Sequence, residues 1–145
     1  MKNLRIYMAD DDEDDRMLFV EALGELPLRC DVRYFTDGIH LMAQLMIMEN
    51  QIPDIVFLDI NMPLMCGMEC LHKIRQTERI LALPVIIYST SFEKNEVEQY
   101  QLMGASGYLQ KPTSFNQLKT LLYKCITPYT KTGETAILPS FIIQV

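Results

Sequence analysis

At 145 residues, 49% of them apolar and 22% charged, the chain has room for one domain with a sizeable core. No apolar run approaches the ~20 residues of a membrane span, and MKNLRIYMAD lacks the apolar stretch of a secretory signal. A cytoplasmic protein with no membrane partner is expected, and no basic cluster of the kind that binds nucleic acid is present.

The net charge of -6 has a local origin. Asp10, Asp11, Asp12, Glu13, Asp14 and Asp15 are consecutive, and without these six the acids and bases number 13 each. Such a run points to a concentrated negative site rather than a generally acidic surface.

In chain order, the apolar run Leu4–Ala9 reads as a first strand, and the acids follow it directly. Glu13–Leu26 carries a helical period, Cys30–Phe35 reads as a second strand, and Asp37-Gly38 opens a helix over Gly38–Glu49. Beyond Pro53, Ile55–Leu58 is wholly apolar, as a strand covered on both faces should be. A helix over Met68–Glu78, a strand over Pro84–Ser89 and a helix over Lys94–Met103 come next. Gly107–Gln110 gives a brief fifth strand, and Ser114 can cap a last helix running to Ile126. In that helix Phe115, Leu118, Leu122 and Cys125 recur at three- and four-residue spacing and draw one buried stripe. Residues 1–127 therefore form the domain. Residues 128–145 are a tail, polar at PYTKTGET and apolar at AILPSFIIQV.

Five strand-then-helix units imply an α/β fold, a doubly wound five-stranded parallel sheet with helices on both faces. Ligands of such sheets sit beyond the carboxyl ends of the strands. There the sequence places Asp10 and Asp11 after the first strand, Asp59 after the third, Ser89 and Thr90 at the fourth, and Lys111-Pro112 after the fifth. Carboxylates suit Mg²⁺, one of them can act as nucleophile, and a lysine and a hydroxyl suit phosphoryl oxygens. The expected chemistry is phosphoryl transfer.

MADDDEDDR, DIVFLDINMPLMCG, PVIIYST and GASGYLQKP, in this order and at these strand ends, resemble the receiver domain of two-component response regulators over roughly residues 3 to 126. The resemblance implies a flavodoxin-like strand order, 2-1-3-4-5, with Asp59 as phosphoacceptor and Asp10, Asp11, Asp59 and the Asn61 backbone carbonyl around Mg²⁺. It implies that Ser89 and Lys111 contact the phosphoryl group, that a cis bond precedes Pro112, and that Tyr108 is the aromatic which turns inward on activation. It further implies a phosphoprotein rather than an enzyme with turnover, a histidine kinase or phosphotransfer protein as donor, and an unidentified downstream protein as target. The matching pieces depart from the family pattern at Ser89, where Thr is common, and at Cys66, where Asp usually precedes the glycine. With no effector segment in the sequence, a stand-alone, chemotaxis-regulator-like receiver is expected.

Other readings stand beside this one. Asp10, Asp12, Asp14 and Glu21 fall at positions 1, 3, 5 and 12 of a calcium loop, but Asp15 occupies the place that needs glycine. A haloacid-dehalogenase-like phosphatase would share the strand-end Asp nucleophile, yet it wants an acid where Asn61 stands. Cys66 and Cys70, with no second pair, fit zinc poorly and read as reduced packing thiols. Asp12 to Asp15 read as decoration of a helix start. Tyr108 is either plain core or a switch. His40 and His72 read as surface residues without carboxylate partners. The apolar tail either folds back on its own domain or contributes to a homodimer, and the homodimer is the expectation carried forward.

Overall fold

The computed structural model describes residues 2–47, 51–131 and 138–144. Its strands are β1 (Leu4–Ala9), β2 (Cys30–Phe35), β3 (Ile55–Leu58), β4 (Val85–Ser89), β5 (Gly107–Gln110) and β6 (Ile142–Ile143). Its helices are α1 (Glu13–Gly24), α2 (Gly38–Leu45), α3 (Gly67–Gln76), α4 (Lys94–Leu102) and α5 (Phe115–Ile126). The sheet order is β2-β1-β3-β4-β5-β6, and every pairing is parallel.

The alternation of side chains along each strand divides the core in two. Tyr7, Leu58, Ile87 and Tyr108 point to the face covered by α2, α3 and α4. Met8, Phe57, Tyr88 and Leu109 point to the opposite face, under α1 and α5. All four residues of β3 are buried, because this strand lies inside the sheet with helices on both sides. No helix among the described residues is long and apolar enough to cross a membrane.

Helix starts follow the sequence punctuation. The Asp12 side chain accepts from the Asp15 N–H to cap α1, Asp37 accepts from His40 N–H to cap α2, and Ser114 accepts from Gln117 N–H to cap α5. Each satisfies one of the donors that a helix start leaves without an intrahelical partner.

Two expectations are corrected. Among the described residues the sheet has six strands rather than five, because Ile142 and Ile143 pair with Tyr108 and Leu109 of β5. A two-residue strand is too short to leave an alternating pattern, so the sequence shows only an apolar tail there. No cis peptide bond occurs among the described residues, so the bond before Pro112 is trans, the isomer that X–Pro bonds favour by roughly 0.5–1 kcal/mol. Helix ends shift by up to two residues at α1, α3 and α4. The expected end of the second helix, Glu49, lies outside the described residues.

Candidate functional site

The backbone ladder brings the strand ends to one edge of the sheet. Just past its last paired residue, Asp10 N–H donates to Phe35 O at 3.0 Å, and Asp59 N–H donates to Ala9 O at 3.0 Å. Lys111 N–H donates to Ser89 O at 2.7 Å. Neighbouring strands thus fix Asp10, Asp59, Ser89 and Lys111 before any side chain contributes. The order reverses at β1, whose neighbours are β2 and β3, so Asp10 and Asp59 stand at the topological switch point.

One carboxylate oxygen from each of Asp10, Asp11 and Asp59 lies within 4.8 Å of the others. Asp10 and Asp59 are buried and Asp11 is exposed, so the cluster opens to solvent on one side. Asp10 Oδ1 accepts from Asp12 N–H at 3.0 Å, and Asp59 Oδ1 accepts from Ile60 N–H at 2.8 Å. Asp10 Oδ2 is buried without a hydrogen-bond partner; the Lys111 ammonium stands 2.6 Å away, in ion-pair range but poorly aligned. A buried, under-satisfied carboxylate oxygen beside two further carboxylates is the donor set a hard divalent cation takes. The residues fit Mg²⁺.

Lys111 is drawn into the site, with 8% of its side chain exposed. Its Nζ lies 2.6 Å from Asp10 Oδ2, 2.8 Å from Asp15 Oδ2 and 3.7 Å from Asp59 Oδ2, and 5.3 Å from the centre of the Tyr88 ring. Burial disfavours the ammonium, but Asp10 and Asp15 outweigh it and hold the Lys111 pKa above its ordinary value. Burial and the charge of Asp10 push the Asp59 carboxyl up to about 7, against the opposing pull of Lys111 and the Ile60 N–H.

Ser89 and Tyr108 line the route from this edge toward α4. Ser89 is buried, and its hydroxyl accepts from Ser91 N–H at 3.2 Å. The Tyr108 ring is fully buried, its hydroxyl donates to Ser91 O at 2.6 Å, and the ring meets Phe92 and Tyr100 with centroids 6.0 and 6.3 Å away. Ser91 thus connects to both residues, and its own hydroxyl reaches Glu96 of α4 at 3.3 Å. Asn61 is exposed two residues after Asp59, and Thr90 is exposed at the end of β4.

Three readings of side chains change. A calcium loop from Asp10 to Glu21 is ruled out because α1 begins at Glu13 and places Asp14 and Glu21 on a helix. Asp15 does more than decorate the helix start, since it binds Lys111. Its position gives a reason: side chains in a first helical turn lean back toward the N-terminus, here toward Asp10 and the strand ends. His40 has a carboxylate partner after all, with Nδ1 2.5 Å from Asp37 Oδ2, because the capping Asp lies one turn before it. His72 is exposed. The four cysteines are free, and Cys66 and Cys70 make no disulfide.

A doubly wound parallel sheet with an acidic cluster and a buried lysine over its switch point defines a flavodoxin-like α/β protein with a site suited to a divalent cation and a phosphoryl group. Residues 6–123 match the response regulator receiver domain, and the chain belongs to that family, the receivers of two-component phosphorelay signalling. It is 29% identical over 117 residues to the probable methanogenesis regulatory protein FilR2 of Methanothrix harundinacea, covering 79% of this chain and 76% of that protein. Identity to chemotaxis protein CheY-3 of Vibrio cholerae is 30%, covering 85% and 92% of the two chains. The chain spans only 25% of the DNA-binding transcriptional regulator NtrC of Salmonella typhimurium, at 30% identity. Among solved structures, the phosphorylated cyanobacterial phytochrome response regulator RcpA superposes with a TM-score of 0.82 at 25% identity, covering 96% of this chain and all of that one. RPA3017, a response regulator in red light signalling of R. palustris, gives 0.81 at 24% identity and shows the shared fold.

Proposed function

We propose that the protein is a Mg²⁺-dependent response regulator that accepts a phosphoryl group on Asp59 from a histidine kinase or phosphotransfer protein. The observation that carries the reading is the convergence of Asp10, Asp11, Asp59 and Lys111 at one strand edge. An Asp59 oxygen attacks phosphorus, the O–P bond forms, the P–N bond of the phosphohistidine breaks, and the imidazole leaves. Asp10, Asp11, Asp59 and the Asn61 carbonyl would hold Mg²⁺, which when bound would supply positive charge to the phosphoryl oxygens. Lys111 and the Ser89 hydroxyl bind the remaining oxygens. The product is a modified protein rather than a released substrate, so the chain does not turn over as an enzyme does.

The readout runs from Ser89 to α4. Movement of the Ser89 hydroxyl toward the phosphoryl group leaves space that Tyr108 can fill, and Ser91, which bonds to both residues, links that change to Glu96 of α4. Tyr108 is therefore read as a switch, and a protein target on the face of α4, β5 and α5 senses its state. The tail, residues 128–145, is read as part of a homodimer contact. Its support is the outer edge of β6, which has no strand partner among the described residues. A cytoplasmic location, where donor kinases present their phosphohistidine, completes the reading.

Acetyl phosphate with Mg²⁺ is expected to add one phosphoryl group to the wild-type chain and none to Asp59→Asn. Intact-protein mass spectrometry reads the outcome, and an equal mass gain in both proteins overturns the assignment.

A further inference from the structure

The Lys111 ammonium is already engaged by two carboxylates before any phosphoryl group arrives. The group has three N–H donors. In the structure it lies 2.6 Å from Asp10 and makes a 2.8 Å hydrogen bond to Asp15, while Asp59, at 3.7 Å, is beyond hydrogen-bond reach. With two donors turned to Asp10 and Asp15, a phosphoryl group on Asp59 that engages the ammonium through more than one oxygen takes a donor from one of these two contacts.

The surroundings decide which contact yields. Asp10 is fully buried, and Asp12 N–H pins its other oxygen, so water cannot take the place of the ammonium there. The Asp15 side chain is 31% exposed, and water can take the place of the lysine there. The backbone carrying Asp15 is nevertheless fixed: its N–H donates to the capping Asp12 carboxylate at 3.0 Å, and the neighbouring Arg16 guanidinium donates to Asp10 O at 2.9 Å. Asp15 is a firmly placed partner that can be given up.

We infer that Asp15 is a positioning residue, a releasable clamp that holds Lys111 away from Asp59 in the resting protein and competes with the phosphoryl group for its ammonium. The inference rests on the reading of Asp59 as phosphoacceptor. Because the contact exists only before transfer, it stabilises the resting state relative to the transition state, and it slows phosphorylation. Releasing the clamp lets Lys111 reach the phosphoryl oxygens without first breaking a charge-assisted hydrogen bond.

The test compares wild type, Asp15→Asn, Lys111→Met and the double variant, with acetyl phosphate as donor at fixed Mg²⁺. Asp15→Asn is nearly isosteric and leaves the Asp12 cap bond, which uses only the Asp15 backbone, in place. It is expected to be phosphorylated roughly three- to tenfold faster than wild type. In the Lys111→Met background the same substitution is expected to change the rate by less than about 1.5-fold. An equal acceleration in both backgrounds means that Asp15 merely repels the anionic donor, and the clamp is overturned. A second readout needs no phosphorylation: the ¹⁵N side-chain signal of Lys111, slow to exchange with water while two carboxylates hold it, broadens in Asp15→Asn. An unchanged signal also overturns the clamp. A wild-type chain that gains no phosphoryl group overturns the phosphoacceptor reading together with the kinetic role of Asp15, whereas equal rates in wild type and Asp15→Asn overturn the clamp alone.

Discussion

Asp59 is stored in the resting fold at a disadvantage, and pH exposes it. Burial and Asp10 push its carboxyl up to about 7 from an unfolded value of 3.8. Between those values the folded chain binds more protons than the unfolded chain, so this group's contribution to stability falls as pH rises through the window. The penalty is fully present above 7 and absent below about 4. Asp59→Asn removes it, so the variant's thermal midpoint should exceed that of wild type at pH 8, by on the order of 5 °C, and the gap should close toward pH 4. Melting curves across that range check the sign; a variant that melts below wild type at pH 8 contradicts it. Gly67 lies against the backbone of the same residue. A Cβ at that position would stand 2.4 Å from the Asp59 backbone oxygen, and backbone cannot step aside as a flexible side chain can. Gly67→Ala is expected to lose about 2 kcal/mol in denaturant unfolding. Full stability in that variant would mean that the turn after β3 yields more readily than its packing indicates.

Elements were legible in the sequence where several signals agreed. β1, β2, β3 and β5 have the bounds that their apolar runs predict, and Ser114 caps α5 as its position ahead of a buried stripe indicates. That cap gives a direct test of the local argument. Ser114→Ala should cost about 1 kcal/mol, and Ser114→Gly only a few tenths, because glycine keeps the start open to water. Chemical denaturation of the two variants separates the cap from mere loss of side-chain contact, which would make glycine the worse of the pair. Parts of the fold that depend on tertiary pairing were not legible. β6 is two residues long and exists because β5 offers an edge, and the 3-10 turns at Glu78–Ile80 and Thr127–Thr130 carry no pattern of their own. The site divides along the same line. Asp10, Asp59 and Lys111 follow from counting to the ends of strands, whereas the link between Asp15 and Lys111 spans 96 residues and depends on which way the first turn of α1 faces.

On the scale of the molecule, the tail and the acidic edge occupy separate places with separate consequences. Ile143 is buried and Leu138 and Phe141 pack against the two core clusters, so the described end of the tail already extends the core of its own chain. The proposed homodimer would therefore have to use the outer edge of β6. A chain ending at Lys131 keeps the buried Tyr129 and lacks β6, and light scattering is expected to show it monomeric where the full chain is dimeric. Monomers in both cases would leave the tail as a core extension only. The acidic edge carries the central claim, that Asp59 forms an acyl phosphate. After treatment with acetyl phosphate and Mg²⁺, borohydride reduction converts an aspartyl phosphate to homoserine, and peptide mass spectrometry locates the converted residue. Homoserine is predicted at position 59 alone; its appearance at Asp10, Asp11 or another acid, or its absence from a protein that has gained a phosphoryl group, would contradict the account.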